Sequence, residues 1–207
     1  MATHITELIN EIYIHNLEMP KQWTEGVLCT LHKKNEKEIC DNYRPITLVN
    51  MIYKIISIAL TKRISPIMNI LTRETQTAYK QSRSTQDVLN HIKEIIGYKY
   101  PEMSITLMDL TKAFGKTNRK LMYTKLIEKG LPIELIRLIA KTHENTKIMA
   151  REKNKLSEKQ VTNKGVFQGS PLSALLFIIY TDSMMERYEE VWQKKKRKPR
   201  KTRDEIS

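Results

Sequence analysis

"SITLMDLTKAFGKTNRKLMY", residues 104–123, decides how the chain is read. It opens on a short apolar run with Ile105 and Leu107, reaches an acid at Asp109, and passes through Lys-Ala-Phe-Gly to Asn118. With Met103 in front, the first half predicts a strand over 103–109. The second half predicts a helix capped by Asn118, carried by Leu121, Met122 and Leu126, and closed at Gly130. A carboxylate at the end of a rigid strand is well placed to hold a metal ion, yet it is also a common polar stop. The stretch alone does not separate the two readings.

Outward from that stretch, helices and antiparallel strands mix. Ile5, Leu8, Ile9, Ile12 and Tyr13 recur at helical spacing over 3–17. "EGVLCTLHKK" (25–34) and "YRPITLV" (43–49) are short, apolar and β-branched around a polar loop, which predicts a hairpin carrying basic residues. Ile52, Ile55, Ile56, Ala59, Leu60 and Ile64 mark a helix that Pro66 ends or kinks. Ser84 and Asp87 form a capping pair for a helix through Val88, Leu89, Ile92, Ile95 and Ile96. Pro132 suits the first turn of a further helix, residues 146–166 allow a second hairpin around Asn154, and 165–192 read as a turn leading into a long helix. The class is α+β rather than a regular βαβ repeat.

The chain has 207 residues, 40% of them hydrophobic, and a formal charge of +13. Such a basic excess points to a polyanion as partner, nucleic acid before anionic membrane. The charge is uneven. Lys194, Lys195, Lys196, Arg197, Lys198, Arg200, Lys201 and Arg203, against Asp204 and Glu205, carry six of the thirteen net charges in the last 14 residues. Two cysteines, Cys29 and Cys40, make no disulfide framework, and His32 between them lacks the further ligands of a zinc site. The longest strongly apolar run, "ALLFIIY" (174–180), is far short of a bilayer span of about 20 residues. The expectation is a soluble intracellular protein, nuclear or cytoplasmic, with no membrane partner.

Four segments in order strengthen the reading of Asp109: residues 21–64, "QTAYKQSRSTQDVL" (76–89), "MDLTKAFGKTNRKLMYTKL" (108–126) and "GVFQGSPLSALLFIIYTDSM" (165–184). Together they resemble the fingers and palm of the reverse transcriptases of non-long-terminal-repeat retrotransposons, over nearly all of the chain from residue 20 to about 185. The resemblance implies a right-hand polymerase that copies RNA into DNA with two Mg²⁺ ions. Asp109 is then the first palm carboxylate, catalytic and a metal ligand. Phe114 lies under the sugar of the incoming dNTP, where its ring excludes a ribose 2′-OH. Backbone amides of the turn, including Leu110 and Ala113, face the triphosphate. Arg44 grips the triphosphate with Lys33 or Lys34, and Gln168 and Gly169 touch the nascent base pair and the sugar.

The sequence also departs from the family. Gly115 stands where a second aspartate is usual, Phe167 where arginine is frequent, Ala78 and Ser82 where the loop often has glycines, and Ala174 where proline commonly follows serine. The family's downstream Ala-Asp-Asp hairpin is not found. Asp182 in "YTDS" lies only a dozen residues after Gln168, within the helical period of Phe177, Tyr180, Met184, Tyr188 and Val191, so it reads as a helix residue. The expected division is an N-terminal helix (1–19), a fingers-like region (20–102), a partial palm (103–192) and a disordered basic tail (193–207), with the thumb missing. The tail reads as a nuclear-import signal, a nonspecific grip on polyanions, or a reading frame that has lost its continuation. The function expected is a fragment of an RNA-directed DNA polymerase, inactive by itself, that takes RNA template, DNA primer and dNTP and needs another chain for the missing palm and thumb. The alternative is a nonenzymatic RNA- or DNA-binding remnant.

Overall fold

The computed structural model describes residues 2–98 and 104–196. Helix α1 (Ala2–Ile14) precedes strand β1 (Glu25–His32) and strand β2 (Tyr43–Val49). These strands pair antiparallel from Gly26↔Val49 to His32↔Tyr43, the hairpin expected from their composition. Helix α2 (Met51–Ile64) follows at once, because the Asn50 side chain accepts the Ile52 amide at 2.8 Å and fixes where the helix starts. A 3₁₀ turn over Ser65–Ile67 and the short helix α3 (Met68–Leu71) stand where Pro66 predicted a kink. Helix α4 (Thr85–Gly97) begins with a complete capping box between Ser84 and Asp87.

Next come α5 (Ala113–Lys116), α6 (Arg119–Glu128) and α7 (Ile133–His143). The Asn118 side chain accepts the Leu121 amide at 3.1 Å, and Gly130 leaves α6 at φ +82° while the Leu131 amide bonds the Leu126 carbonyl. Strands β3 (Lys147–Glu152), β4 (Lys155–Leu156) and β5 (Gln160–Val161) complete the sheet, and α8 (Pro171–Lys196) closes the described chain. The strand order is β2-β1-β3-β4, with β5 also on β3. β1 pairs parallel with β3, Glu25 beside Lys147, so the stretch between them is a crossover that carries α2, α6 and α7, and α8 follows the sheet.

Those helices meet in one core. Ile56, Leu60 and Ile64 line one face of α2, Met122 and Leu126 one face of α6, and Leu172, Leu176 and Ile179 one face of α8; all are buried. A second tie is ionic. Asp182, buried in α8, accepts from the Arg73 Nε at 3.1 Å, the Arg73 amide at 3.2 Å and the Lys129 Nζ at 3.2 Å. Glu189 pairs with the same arginine and Glu186 with the same lysine. The helical reading of Asp182 holds, and its burial among cations explains why an acid is tolerated there.

Three differences from the expectations have physical causes. Residues 104–110 form no strand, since no strand among the described residues pairs with them; Met103 lies outside those residues. Leu107 is 90% exposed. Helix α4 forms as expected but buries none of its residues, because helix propensity and a capping box suffice to wind it without a partner for its apolar stripe. α8 runs through Lys196, past the expected start of the disordered tail at 193, because Gln193, Lys194, Lys195 and Lys196 are good helix formers and basic residues suit a helix C-terminus. Arg197, Lys198, Arg200, Lys201 and Arg203 lie outside the described residues. Ser82 takes φ +59° in the loop where glycine was the expected residue, a conformation that costs a non-glycine residue about 1 kcal/mol or more.

Candidate functional site

Three segments distant in sequence meet beside β2. The β1–β2 hairpin presents Lys33 and Lys34, both exposed, just after β1, and Arg44, exposed, opposite Leu31. The turn 109–117 approaches the loop between the strands, where the Lys112 Nζ lies 2.7 Å from the Asp41 carboxylate. The third segment, 165–170, crosses β2, and the Thr47 amide donates to the Gln168 carbonyl at 2.7 Å. Gly169 sits at φ +129°, and a Cβ there would stand 2.7 Å from the Thr47 carbonyl oxygen. Only glycine fits so close an approach of two backbones.

The turn and the loop are also bonded to each other. The Gly165 amide donates to the Thr117 carbonyl at 2.7 Å and the Val166 amide to the Phe114 carbonyl at 2.9 Å. The Phe114 ring, half-buried, stacks on Phe177 of α8 with centroids 4.9 Å apart, which fixes its plane at the start of α5. Asp109 is exposed, and its Oδ1 accepts the Leu110 amide at 2.9 Å, which engages one of the two amides expected to face a phosphate. Ala113 opens α5, directly after Lys112, whose φ of +55° and ψ of +39° put it in the left-handed region. That sparsely populated conformation at the turn costs roughly 1 kcal/mol or more and is over-determined by the bonds on either side.

The electrostatics are basic. The hydrogen bond and charge of Lys112, with Lys33 and Lys116 close enough to add to them, hold the Asp41 carboxyl below its ordinary range. Lys112 in turn is raised by Asp41. Lys33, Lys112 and Lys116 thus surround one acid at the mouth of the three segments, an excess of positive charge that suits a phosphate-rich ligand. Sequence reasoning missed Lys112, Lys116 and Asp41, which no motif marks. Beneath lies a cleft of about 490 Å³ lined by Leu28, Thr47, Gly115, Phe167 and Gln168 among others.

Arg119, also missed, shapes the floor. Its Nε donates to the Gly165 carbonyl at 2.7 Å, one terminal nitrogen to the His143 and Thr162 carbonyls at 2.8 and 2.9 Å, and the other to the Thr146 and Thr162 hydroxyls at 2.9 and 3.1 Å. All five guanidinium donors are used. Burial pulls this arginine below its ordinary value, and a planar fork in a ring of carbonyls fixes the base of the 165–170 loop. Among the described residues, no group of three or more His, Cys, Asp or Glu stands close enough together to hold a metal ion, and no helix is long and apolar enough to cross a membrane.

The family described as "Reverse transcriptase (RNA-dependent DNA polymerase)" matches residues 31–199, and the chain belongs to it. It is 29% identical over 188 residues to the probable RNA-directed DNA polymerase from transposon X-element of Drosophila melanogaster, covering 87% of this chain and 20% of that protein. It is 25% identical over 168 residues to the probable RNA-directed DNA polymerase from transposon BS of the same fly, covering 78% of this chain and 18% of that protein. The "Transposon TX1 uncharacterized 149 kDa protein" of Xenopus laevis is 21% identical over 163 residues, covering 77% of this chain and 12% of that protein. The matched segment thus spans a fifth or less of each of these relatives.

Proposed function

We propose that this chain supplies the fingers and the first part of the palm of a transposon's RNA-directed DNA polymerase. The observation that carries the reading is the Thr47–Gln168 hydrogen bond of 2.7 Å, which joins the hairpin of Arg44 to the loop of Gln168 and Gly169. The Lys112–Asp41 pair brings the turn of Asp109 and Phe114 to the same place. Arg44, Lys33 and Lys34, with Lys112 and Lys116, grip the triphosphate of a dNTP. Phe114 excludes the ribose 2′-OH, and Gln168 and Gly169 meet the nascent pair on an RNA template and DNA primer.

A two-ion Mg²⁺ site needs several carboxylates, and among the described residues Asp109 offers one, exposed and already accepting an amide. That donor set does not fit two ions, so we derive no step through the metal. We propose instead that the remaining ligands, with the rest of the palm and the thumb, come from another chain. The 207-residue protein alone is then expected to incorporate no dNTP on a primed RNA template with Mg²⁺. Supplying a palm-hairpin and thumb fragment should restore incorporation, Asp109→Ala should abolish it, and Phe114→Ala should mainly relax discrimination against ribonucleotides. Incorporation by the chain alone that vanishes in Asp109→Ala would overturn this reading. The basic stretch from Lys194 supports a second one, a nonenzymatic remnant that binds RNA or DNA, which predicts binding and no restoration by any fragment.

A further inference from the structure

The cleft beneath the 165–170 loop is a second place where a ligand fits. At about 490 Å³ it has the volume of a small-molecule site, and Leu28, Pro45, Ile148, Val166 and Phe167 give it apolar walls. Side chains alternate along a strand, so Pro45 and Thr47, which line the cleft, face away from Arg44. A molecule held here lies on the opposite face of the hairpin from a triphosphate gripped by Arg44.

Arg119 gives the cleft a sign. It lines the cleft, half-buried, with every donor on a carbonyl or a hydroxyl, and no carboxylate among the described residues balances it. Neutral acceptors satisfy the hydrogen bonds of a guanidinium but leave its charge, which in a poorly solvated place still attracts an anion. Lys164 and Asn163, both exposed, and Gln168 bring further donors to the same lining. Gly115 is where the cleft has room. It lies in α5, in helical backbone, and a Cβ built there would touch nothing within 4 Å. Its carbonyl oxygen packs on Gly165, where a Cβ would stand 2.7 Å from it, and the Gly165 carbonyl accepts the Arg119 Nε at 2.7 Å. Gly115 and Arg119 therefore flank the same glycine.

We propose that this cleft binds a small organic carboxylate, its apolar body between the walls and its carboxylate in the open space beside Gly115, facing the charge of Arg119 with Lys164 at the mouth. The apolar walls favour a ligand with a hydrocarbon body over a bare inorganic anion, and the unbalanced cation favours an acid over a neutral molecule of the same shape. Bound there, the ligand braces β2 against the loop beneath the Thr47–Gln168 hydrogen bond. The bearing of that brace on nucleotide selection rests on the function proposed above, whereas the binding itself does not.

The test needs no nucleotide, so its failure is separate from failure of the polymerase reading. Calorimetry on the 207-residue chain should show 2-naphthoate binding with a Kd of about 1 mM, and about tenfold tighter than 2-naphthylmethanol, which has the same rings and no charge. Gly115→Asp puts a carboxylate into the same space and Gly115→Asn is its uncharged isostere; the open space and helical backbone admit both. The aspartate variant should melt higher than the asparagine variant, with most of the difference kept in about 0.5 M NaCl because a half-buried charge is screened little. It should also weaken naphthoate about tenfold beyond the effect of asparagine. Lys164→Met should weaken naphthoate about threefold and leave the melting temperature unchanged. Equal affinity for naphthoate and naphthylmethanol would overturn the proposal. Aspartate and asparagine variants that melt and bind alike would overturn it too, and would move any bound carboxylate to the basic stretch from Lys194.

Discussion

Replacing Asp182 with asparagine tests whether this acid is a structural anchor. Its side chain is fully buried, and it is the common acceptor for Arg73 and Lys129, whose side chains are 21% and 16% exposed. Breaking a buried ion pair by removing one partner costs roughly 3–5 kcal/mol. Here the lower end applies, about 3 kcal/mol, because Arg73 keeps Glu189, Lys129 keeps Glu186, and both cations retain some solvent. At about 2–4 °C per kcal/mol for a chain of this size, the melting temperature should fall by about 6–12 °C. Urea unfolding followed by circular dichroism, with parent and variant at the same pH and ionic strength, gives the free energy, and a thermal scan gives the shift. A variant within about 0.5 kcal/mol of the parent, the range of an ordinary surface substitution, would show that Asp182 anchors nothing.

His143 makes stability depend on pH. Burial, with Arg119 adding, lowers it to about 3 from an ordinary 6.5, and the Tyr123 hydroxyl bonds its Nδ1 at 2.8 Å. The unfolded chain takes up the proton near 6.5 and the folded one only near 3, so this contribution is intact above 6.5 and is lost as pH falls, by up to about 1.4 kcal/mol per unit. Urea midpoints should therefore decline from pH 6.5 to 5, and a flat or rising trend would refute the assignment. Deleting 194–207 should weaken binding to RNA and DNA without regard to sequence and flatten its salt dependence; unchanged binding across a salt titration would show the grip lies elsewhere.

What could be read from the residues was mostly local. Asn118, Ser84 with Asp87, and Gly130 announce helix ends through the chemistry of their own side chains or backbone, and the structure has those ends. The β1–β2 hairpin was equally legible. Contacts between distant segments leave no such mark. The parallel pairing of Glu25 with Lys147, the five bonds of Arg119 and the meeting of Lys112 with Asp41 depend on how the crossover packs. The 103–109 expectation failed for a related reason: alternation and β-branching report a preference for a ladder, and the ladder also needs a partner strand. For the site, the resemblance named Asp109, Arg44 and the Gln168–Gly169 loop, while the basic ring around Asp41 could be found only in three dimensions.

The unpaired stretch before Asp109 has a consequence for the protein as a material. Ile105, Leu107 and Met108 are exposed, and their backbone joins no ladder among the described residues. An exposed apolar segment with an unpaired backbone can pair with any extended chain, including another copy of itself, and each such pairing exposes a fresh edge of the same kind. The segment that leads to Asp109 is therefore where self-association is expected to begin, more readily as the local concentration rises.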